Sequence, residues 1–460
     1  MRFSQLSGDF NPLHLDALAA RRSLTGGTVV HGIHLLLWAL DAWCATCYEK
    51  ATLITMDVDF IKSVPVGSSV RLSGSAYSEG ADLSLYVGDQ LATTIVFRVR
   101  QGADAYLVAP GRPPLSAPSV LNNSLISAAE GKLPLVLDLL LASQLAPSLV
   151  RILPSHQIAF MLSTSRLVGM ECPGLHSLYA SLNFTESEGA VESEEWLSYR
   201  VKLFDKRFSL STILVAGPGL VGNIKAFLRP EPQLQPACQE VRAAIGVGAL
   251  SGQPFNGQRV LVIGGSRGLG EVFTKVLAMC GAEVLFTYHK GEQEAAAIVS
   301  DIVASKGKAA SLQYDVTRDQ GELFAEFAAN HFIYMATPFI NIGRQKFFNS
   351  HAFVRFCKYY VDGFAATFAG ARQQCLASVY YPSSIFLDEL PLQMSEYIAA
   401  KGAGEALCST LAKAYPAISF ACPRLPRIAT DQSASLVKSA NQAILPLVLA
   451  QVEQLIQRTK

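Results

Sequence analysis

The chain has little charge. Only 16% of its 460 residues are Asp, Glu, Lys or Arg, against 50% hydrophobic ones, and the formal net charge is +1. That balance excludes a disordered chain and predicts large buried cores, enough for two to four domains. It has no basic stripe and no acidic tail, so neither nucleic acid nor a membrane surface is expected as a partner. It also lacks a run of about 20 uninterrupted apolar residues, the length of a spanning helix. The two most apolar windows are "LPLVLDLLLASQLAPSLVRIL" and "VVHGIHLLLWALDAWCATC". The first carries Asp138 and Arg151, the second His31, His34 and Asp41, and both read as buried helices. The opening "MRFSQLSGDF" lacks the apolar centre of a secretory signal. Cysteine is scarce: nine residues, odd in number and scattered. This is the pattern of reduced thiols, so a cytoplasmic location is expected. Cys44 and Cys47 form a C-x-x-C inside an apolar helical run with no second pair nearby. They read as packing residues, and no metal site is expected.

Three blocks follow one another. The first opens with a polar cluster, continues into an apolar helix from about Gly32 to Cys47, and ends in strands with period-2 alternation. A Pro- and Ser-rich linker, "APGRPPLSAPS", closes it. The second repeats that order of elements without the polar cluster and with no strong residue-level identity, so the repeat is architectural. The third begins at "NGQRVLVIGGSRGLGEVFTKVLAMCGAEVLFTYHK", a strand, a glycine turn, a helix and a second strand. This is the opening unit of a nucleotide-binding parallel sheet. The tail after about Ser435 reads as an amphipathic helix.

In the third block, "GGSRGLG" sits between strand and helix, where amide donors of the helix start can receive a pyrophosphate. Gly264, Gly268 and Gly270 carry the pattern, with Ser266, Arg267 and Leu269 between them. Asp315 and Val316 follow a third strand, where the carboxylate can meet an adenine amino group. The second strand ends "FTYHK" with no acid to hold a ribose 2′-hydroxyl, while Arg267 and His289 or Lys290 can meet a 2′-phosphate, so NADP(H) is favoured. Further on, Ser384 ends a strand, and Tyr397 and Lys401 lie four residues apart on one helical face. The Lys charge is expected to favour the tyrosinate and sharpen the phenol as a proton donor.

This block resembles the short-chain dehydrogenase/reductase family over about 257–435. The resemblance implies that Ser384, Tyr397 and Lys401 carry carbonyl reduction and that Thr430 joins the cofactor contacts. Departures are visible. Ile263 stands where the family has a Thr. "YMATP" replaces its Asn-Ala-Gly segment, and a relay Asn is replaced around Tyr360. A divergent reductase with an altered proton relay is expected.

The polar cluster is "SGDFNPLHLD", Ser7 to Asp16. Asp9 and His14 lie five residues apart around a Pro, so a loop can turn both toward one point, as acid–base work beside a carbonyl requires. Asn11 is read as holding the loop or a water. At Gly32 the long helix begins, and its first amides are free to bind a thioester oxygen gaining charge. His31 is read as structural and His34 as a packing residue. The stretch S-G-D-x-N-P-x-H, with V-H-G downstream, closely resembles the MaoC-like (R)-specific enoyl-thioester hydratases and dehydratases over about 1–100.

The resemblance implies a hot-dog fold, with Asp9 and His14 as the acid–base pair and Gly32 as the thioester-binding amide. The family's first strand should precede the motif, and only eight residues stand before Asp9. Hot-dog units pair, so the second block is expected to complete one site within the chain. The expected architecture is an α+β double hot dog followed by an α/β Rossmann-type doubly wound parallel sheet. Its segments are 1–108, 121–232, 257–435 and a C-terminal helix over 436–460. The expected enzyme reduces a 3-oxoacyl thioester with NADPH and dehydrates the product to the trans-2-enoyl thioester. The thioester is carried on acyl carrier protein or coenzyme A, and the chain is expected to form a homo-oligomer. Alternatives are the reverse chemistry in thioester breakdown, a reductase-like docking module beside a working dehydratase, or a hot-dog pair that only binds.

Overall fold

The computed structural model describes all residues except 103–105, 107, 188–194, 247–249, 319–323, 341–347, 372–374, 429, 431–441 and 460. The chain divides into two compact units, one formed by Met1–Pro232 and the other beginning at Gln233.

The first unit starts with two short helices, α1 (Arg2–Ser7) and α2 (Pro12–Leu15), followed by α3 (Gly32–Cys44). Four strands come next: β1 (Ala51–Phe60), β2 (Val70–Tyr77), β3 (Gly80–Val87) and β4 (Gln90–Gln101). Then come β5 (Glu130–Pro134), α4 (Ser155–Arg166), β6 (Ser177–Glu186), β7 (Trp196–Asp205), β8 (Leu210–Gly217) and β9 (Leu220–Leu228). All nine strands form one sheet in the order β2-β3-β4-β1-β6-β9-β8-β7-β5. Read outward from the β1–β6 join, each half repeats the same sequence of a first, fourth, third and second strand. The join is antiparallel, with Asp57 opposite Asn183. The two halves thus share a strand order on either side of this seam.

Alternation explains the sheet. Met56 and Val58 of β1 point into the core, while Thr55, Asp57 and Asp59 face out. Helix α3 is apolar almost all round and buries Ile33, Leu36, Leu37, Leu40 and Cys44. A helix of that kind must be wrapped on several sides, here by the curved sheet and by α4, which is buried along its length.

One sequence expectation changes. The window 133–153 is not one buried helix. Asp138 caps a helix Leu139–Leu145 by accepting from the Leu141 amide, Pro147 starts another, and Leu139 and Leu140 are exposed. The residues before Asp9 form helix α1 and not a strand.

The second unit contains β10 (Arg259–Ile263), α5 (Gly268–Met279), β11 (Glu283–Tyr288), β12 (Lys308–Gln313) and β13 (His331–Tyr334). It continues with β14 (Ser378–Tyr380), α6 (Ser395–Ala414), β15 (Ser419–Ala421) and α7 (Ile444–Thr459). The sheet is parallel, in the order β12-β11-β10-β13-β14-β15. This is the doubly wound Rossmann order, with a topological switch between β10 and β13. Both faces are covered. Val260 and Val262 of β10 pack with α5 and α7, while Leu261 and Ile263 join the opposite core with Phe332 and Phe364. Among the described residues no helix is long and apolar enough to cross a membrane.

Candidate functional sites

The N-terminal cluster is built by turn chemistry. Helix α1 ends on Gly8 in the left-handed region, φ 75°, which swings Asp9 away from the helix axis. Asn11 caps α2, its side-chain oxygen accepting from the Leu13 amide at 3.0 Å. The same side chain donates to the carbonyls of Gly169, Gly174 and Leu175 at 2.9, 3.2 and 3.2 Å. Asn11 therefore bolts the motif loop to the second half of the unit. Pro12 opens α2, and one helical turn brings His14 round to Asp9.

Asp9, His14 and His31 converge, with ligand atoms all within 4.8 Å of one another. The imidazoles of His14 and His31 stack at 3.7 Å, and His31 Nε2 lies 3.9 Å from Asp9 Oδ2. His14 Nδ1 is 2.8 Å from the Val29 carbonyl. A carbonyl only accepts, so Nδ1 carries the hydrogen and Nε2 of the neutral ring is left as a base. His34 stacks on Phe3 at 4.6 Å, a packing role as expected.

The second half of the unit completes this cluster. Ser165 Oγ, at the end of α4, donates to Asp9 Oδ2 at 2.8 Å. A Cβ on Gly169 would stand 2.2 Å from Asp9 Oδ1, so only glycine fits there. Neither residue was visible as functional in the sequence. The one signal was a glycine inside an apolar helical run, where it costs ~1 kcal/mol relative to alanine.

Burial dominates the titration. It raises the Asp9 carboxyl above its usual value, opposed by His14 and by hydrogen bonds from Ser165 and the Asn11 amide. It lowers His14, opposed by Asp9. Asp9 and His31 are nearly sealed, and His14 is the member of the trio that reaches solvent. Gly32 is the first residue of α3, and a Cβ there would meet the Phe60 ring at 2.9 Å. Amides in a helix's first turn have no partner within the helix. A groove of about 650 Å³ lies elsewhere, on the outer sheet face around Asp57, Asn183 and Val221. It holds no acid–base pair.

In the second unit the glycine turn joins β10 to α5. Gly264 has φ 79°, and a Cβ on Gly270 would stand 2.1 Å from the Gly264 carbonyl oxygen. That close approach packs the first turn of α5 against the glycine turn. Arg267 is the N-cap of α5, Ser266 is buried, and Thr430 lies against Gly268. Gly268 and Leu269 open the helix with their amides. His289 Nε2 lies 3.6 Å from Asp315 Oδ2, so the structure brings together two residues assigned by sequence to opposite ends of an adenosine. Asp315 also accepts from the Thr317 hydroxyl at 2.7 Å and faces Arg318, while Val316 is buried.

Ser384, Tyr397 and Lys401 are all buried, and the Ser384 side chain opposes part of the effect of burial on the Tyr397 phenol. The expected effect of Lys401 on Tyr397 is corrected. Lys401 Nζ donates to the Pro382 carbonyl at 2.7 Å and sits 4.2 Å from the centre of the Tyr360 ring and 5.0 Å from that of Tyr381. Burial pushes the Tyr397 phenol up to about 12 and brings Lys401 down to about 7. Desolvation outweighs any mutual attraction of the pair. Tyr360 lies in a π-helical turn over Lys358–Gly363. Its hydroxyl bonds Thr337 at 2.5 Å and its carbonyl accepts from Tyr381 at 3.0 Å.

Residues 1–80 match the family model of the MaoC like domain, and residues 258–354 match that of short chain dehydrogenase. The chain thus carries a MaoC-like dehydratase domain and a short-chain dehydrogenase domain in one polypeptide. No curated protein matches it. Among solved structures, a dehydrogenase/reductase from Sinorhizobium meliloti is similar at 19% identity and TM-score 0.41, over 45% of this chain and 90% of that one. A short chain dehydrogenase from Burkholderia cenocepacia in complex with NADP is similar at 21% and 0.40, over 44% and 91%. A 3-oxoacyl (acyl-carrier-protein) reductase from Agrobacterium tumefaciens with NADP bound is similar at 20% and 0.37, over 41% and 76%.

Proposed function

We propose that the chain is a bifunctional acyl-thioester enzyme. It reduces a 3-oxoacyl thioester with NADPH and removes water from the 3-hydroxyacyl product to give the trans-2-enoyl thioester. Residues 1–108 and 121–232 form a double hot dog with one working site, 257–435 form the reductase, and 436–460 supply the terminal helix. The observation that carries the reading is the convergence of Asp9 and His14 in the same unit as the opening amides of α3.

In dehydration, the Gly32 amide stabilises negative charge on the thioester oxygen as the proton next to it leaves. His14 Nε2 takes that proton, and Asp9, whose burial favours the protonated carboxyl, hands one to the departing β-hydroxyl. Asn11 fixes the loop that carries both groups.

In the reductase, Gly264, Ser266, Arg267, Gly268, Leu269 and Gly270 would hold the pyrophosphate. His289, Asp315, Val316 and Thr430 would line the rest of the nucleotide site. NADPH supplies a hydride when bound. Tyr397 stays protonated across the physiological range and donates to the carbonyl oxygen, which Ser384 positions. Lys401 keeps a positive charge near the cofactor below about pH 7.

The engagement of Lys401 with Pro382 favours a second reading, a nucleotide-binding module beside a working dehydratase. One experiment separates them: 3-oxoacyl thioesters on acyl carrier protein and on coenzyme A, with NADPH, and products followed by mass. The bifunctional reading predicts the enoyl thioester. An unreduced substrate from protein that still dehydrates a supplied 3-hydroxyacyl thioester would favour the module.

A further inference from the structure

Arg229 directly follows β9 and is 6% exposed. Its partners are main-chain oxygens. Nε donates to the Ser177 carbonyl at 2.8 Å and Nη2 to the Leu175 carbonyl at 2.9 Å. Its own amide donates to the His176 carbonyl at 2.6 Å. Three successive carbonyls therefore end on one residue. The Leu175 carbonyl has a second donor, Asn11 Nδ2, at 3.2 Å. Both of its lone pairs are then used, one by the motif loop and one by Arg229. Gly174 also accepts from Asn11, at φ 80°, and a Cβ there would stand 2.2 Å from the Ser119 carbonyl oxygen. On the other side of Ser177, Leu178 packs against buried Leu13, Ala20 and Val29. Leu13 precedes His14, and the Val29 carbonyl receives the His14 Nδ1 hydrogen.

We propose that Arg229 is a positioning residue for the proposed dehydration: it clamps residues 175–178 into a platform that aims His14 through Asn11 on one side and through Leu178 on the other. The chemistry of the side chain fits the task. A planar guanidinium presents donors in a rigid fork, so one group fixes two carbonyls at a set spacing, and hydrogen bonds from a cation are the strong ones. A neutral residue of similar length would fill the space and leave the Leu175 and Ser177 carbonyls without these donors. The clamp is also charged. Burial brings Arg229 down to about 10, so it stays a cation wherever His14 titrates. Its charge opposes protonation of His14, Asp9 favours it, and the His31 ring is stacked on the imidazole. His176 faces the same charge. Arg229 therefore bears on His14 by two separable means, the fork that holds the platform and the charge.

The role assigned to Arg229 rests on the proposed dehydration, but its hold on the His14 ring can be read without turnover. Full-length wild type, Arg229→Met and Arg229→Lys are compared, with circular dichroism as the check on folding. With a 3-hydroxyacyl thioester, kcat should fall by ~10²-fold in Arg229→Met and ~10-fold in Arg229→Lys, the scale of a reacting group displaced by up to ~1 Å. KM should stay within about twofold, because the interaction lost is one with the transition state. The acid limb of kcat/KM should move to higher pH in Arg229→Met, where the opposing charge is gone, and stay in place in Arg229→Lys, where a cation remains. In protein labelled with nitrogen-15 histidine, the His14 signals are assigned by their loss in His14→Gln. They should report one Nδ1-protonated ring in wild type and mixed tautomers in both Arg229 variants. Wild-type kcat and His14 signals in folded Arg229→Met overturn the proposal, as does a loss of kcat with the His14 signals unchanged. Should Arg229→Met fail to fold, the same outcomes in Arg229→Lys decide. A wild type that dehydrates nothing, while the His14 signals answer to Arg229 as expected, would sustain the clamp and sink the dehydratase reading instead.

Discussion

Asp9 depends on a glycine 160 residues further along the chain. In Gly169→Ala the new methyl would press on Asp9 Oδ1, at 2.2 Å, and turn the carboxyl away from His14. Dehydration of a 3-hydroxyacyl thioester should then fall by ~10²-fold or more, the scale of losing a placed acid–base group. NADPH oxidation with a 3-oxoacyl thioester should stay within about twofold of wild type, and steady-state assays of both activities check this. A subtler change is Ser165→Ala, which removes a hydrogen bond that favours ionised Asp9. The carboxyl, already raised, should rise further, and the alkaline limb of the dehydration profile should move up with it. The acid limb belongs to His14. Its value is lowered in the folded protein, so the imidazole remains neutral, and able to accept a proton, below pH 6.5. The log of kcat/KM for dehydration should therefore begin to fall only below pH 6.5, and an acid limb at or above that value would count against His14 as the base.

At the scale of elements, α6 should set the pH response of the proposed reductase. Its Lys401 is brought to about 7, so the cation is present below that pH and is lost as pH rises through it. The kcat/KM for NADPH reports the free enzyme, so it should decline above pH 7 by up to ~10-fold per unit. A flat profile to pH 9 would show that the Lys401 charge does nothing for the nucleotide. This element also marks the limit of what could be read in the chain. The i, i+4 spacing placed Tyr397 and Lys401 on one face, and the strand–turn–helix context placed the glycine turn, because both depend on neighbours in sequence. The destination of the Lys401 ammonium depends on Pro382 and two tyrosine rings from other elements, which no spacing reveals. The same division holds in the first unit. Asp9, Asn11 and His14 were legible through turn chemistry. Ser165 and Gly169 reach Asp9 only because α4 packs beside the motif loop. Helix α1 was not legible for a related reason. Six residues of mixed character carry no period strong enough to choose between helix and strand, and burial of Phe3 and Leu6 decides it.

At the scale of the molecule, the proposed function puts two chemistries in two units, and each should be removable without the other. Tyr397→Phe keeps the ring that packs against Phe356 and Tyr360 and loses only the hydroxyl. It should abolish ketoreduction by ~10²-fold or more while a supplied 3-hydroxyacyl thioester is still dehydrated. Asp9→Asn should do the reverse, reducing the 3-oxoacyl thioester and accumulating the hydroxy product.

That last variant carries the most direct measurement. Wild type and Asp9→Asn, each shown folded by circular dichroism, are given a 3-hydroxyacyl thioester, and enoyl formation is followed with time. The account predicts rapid appearance of the trans-2-enoyl thioester with wild type and a rate lower by ~10²-fold or more with the variant. Equal rates would contradict the assignment of Asp9 and, with it, the dehydratase site.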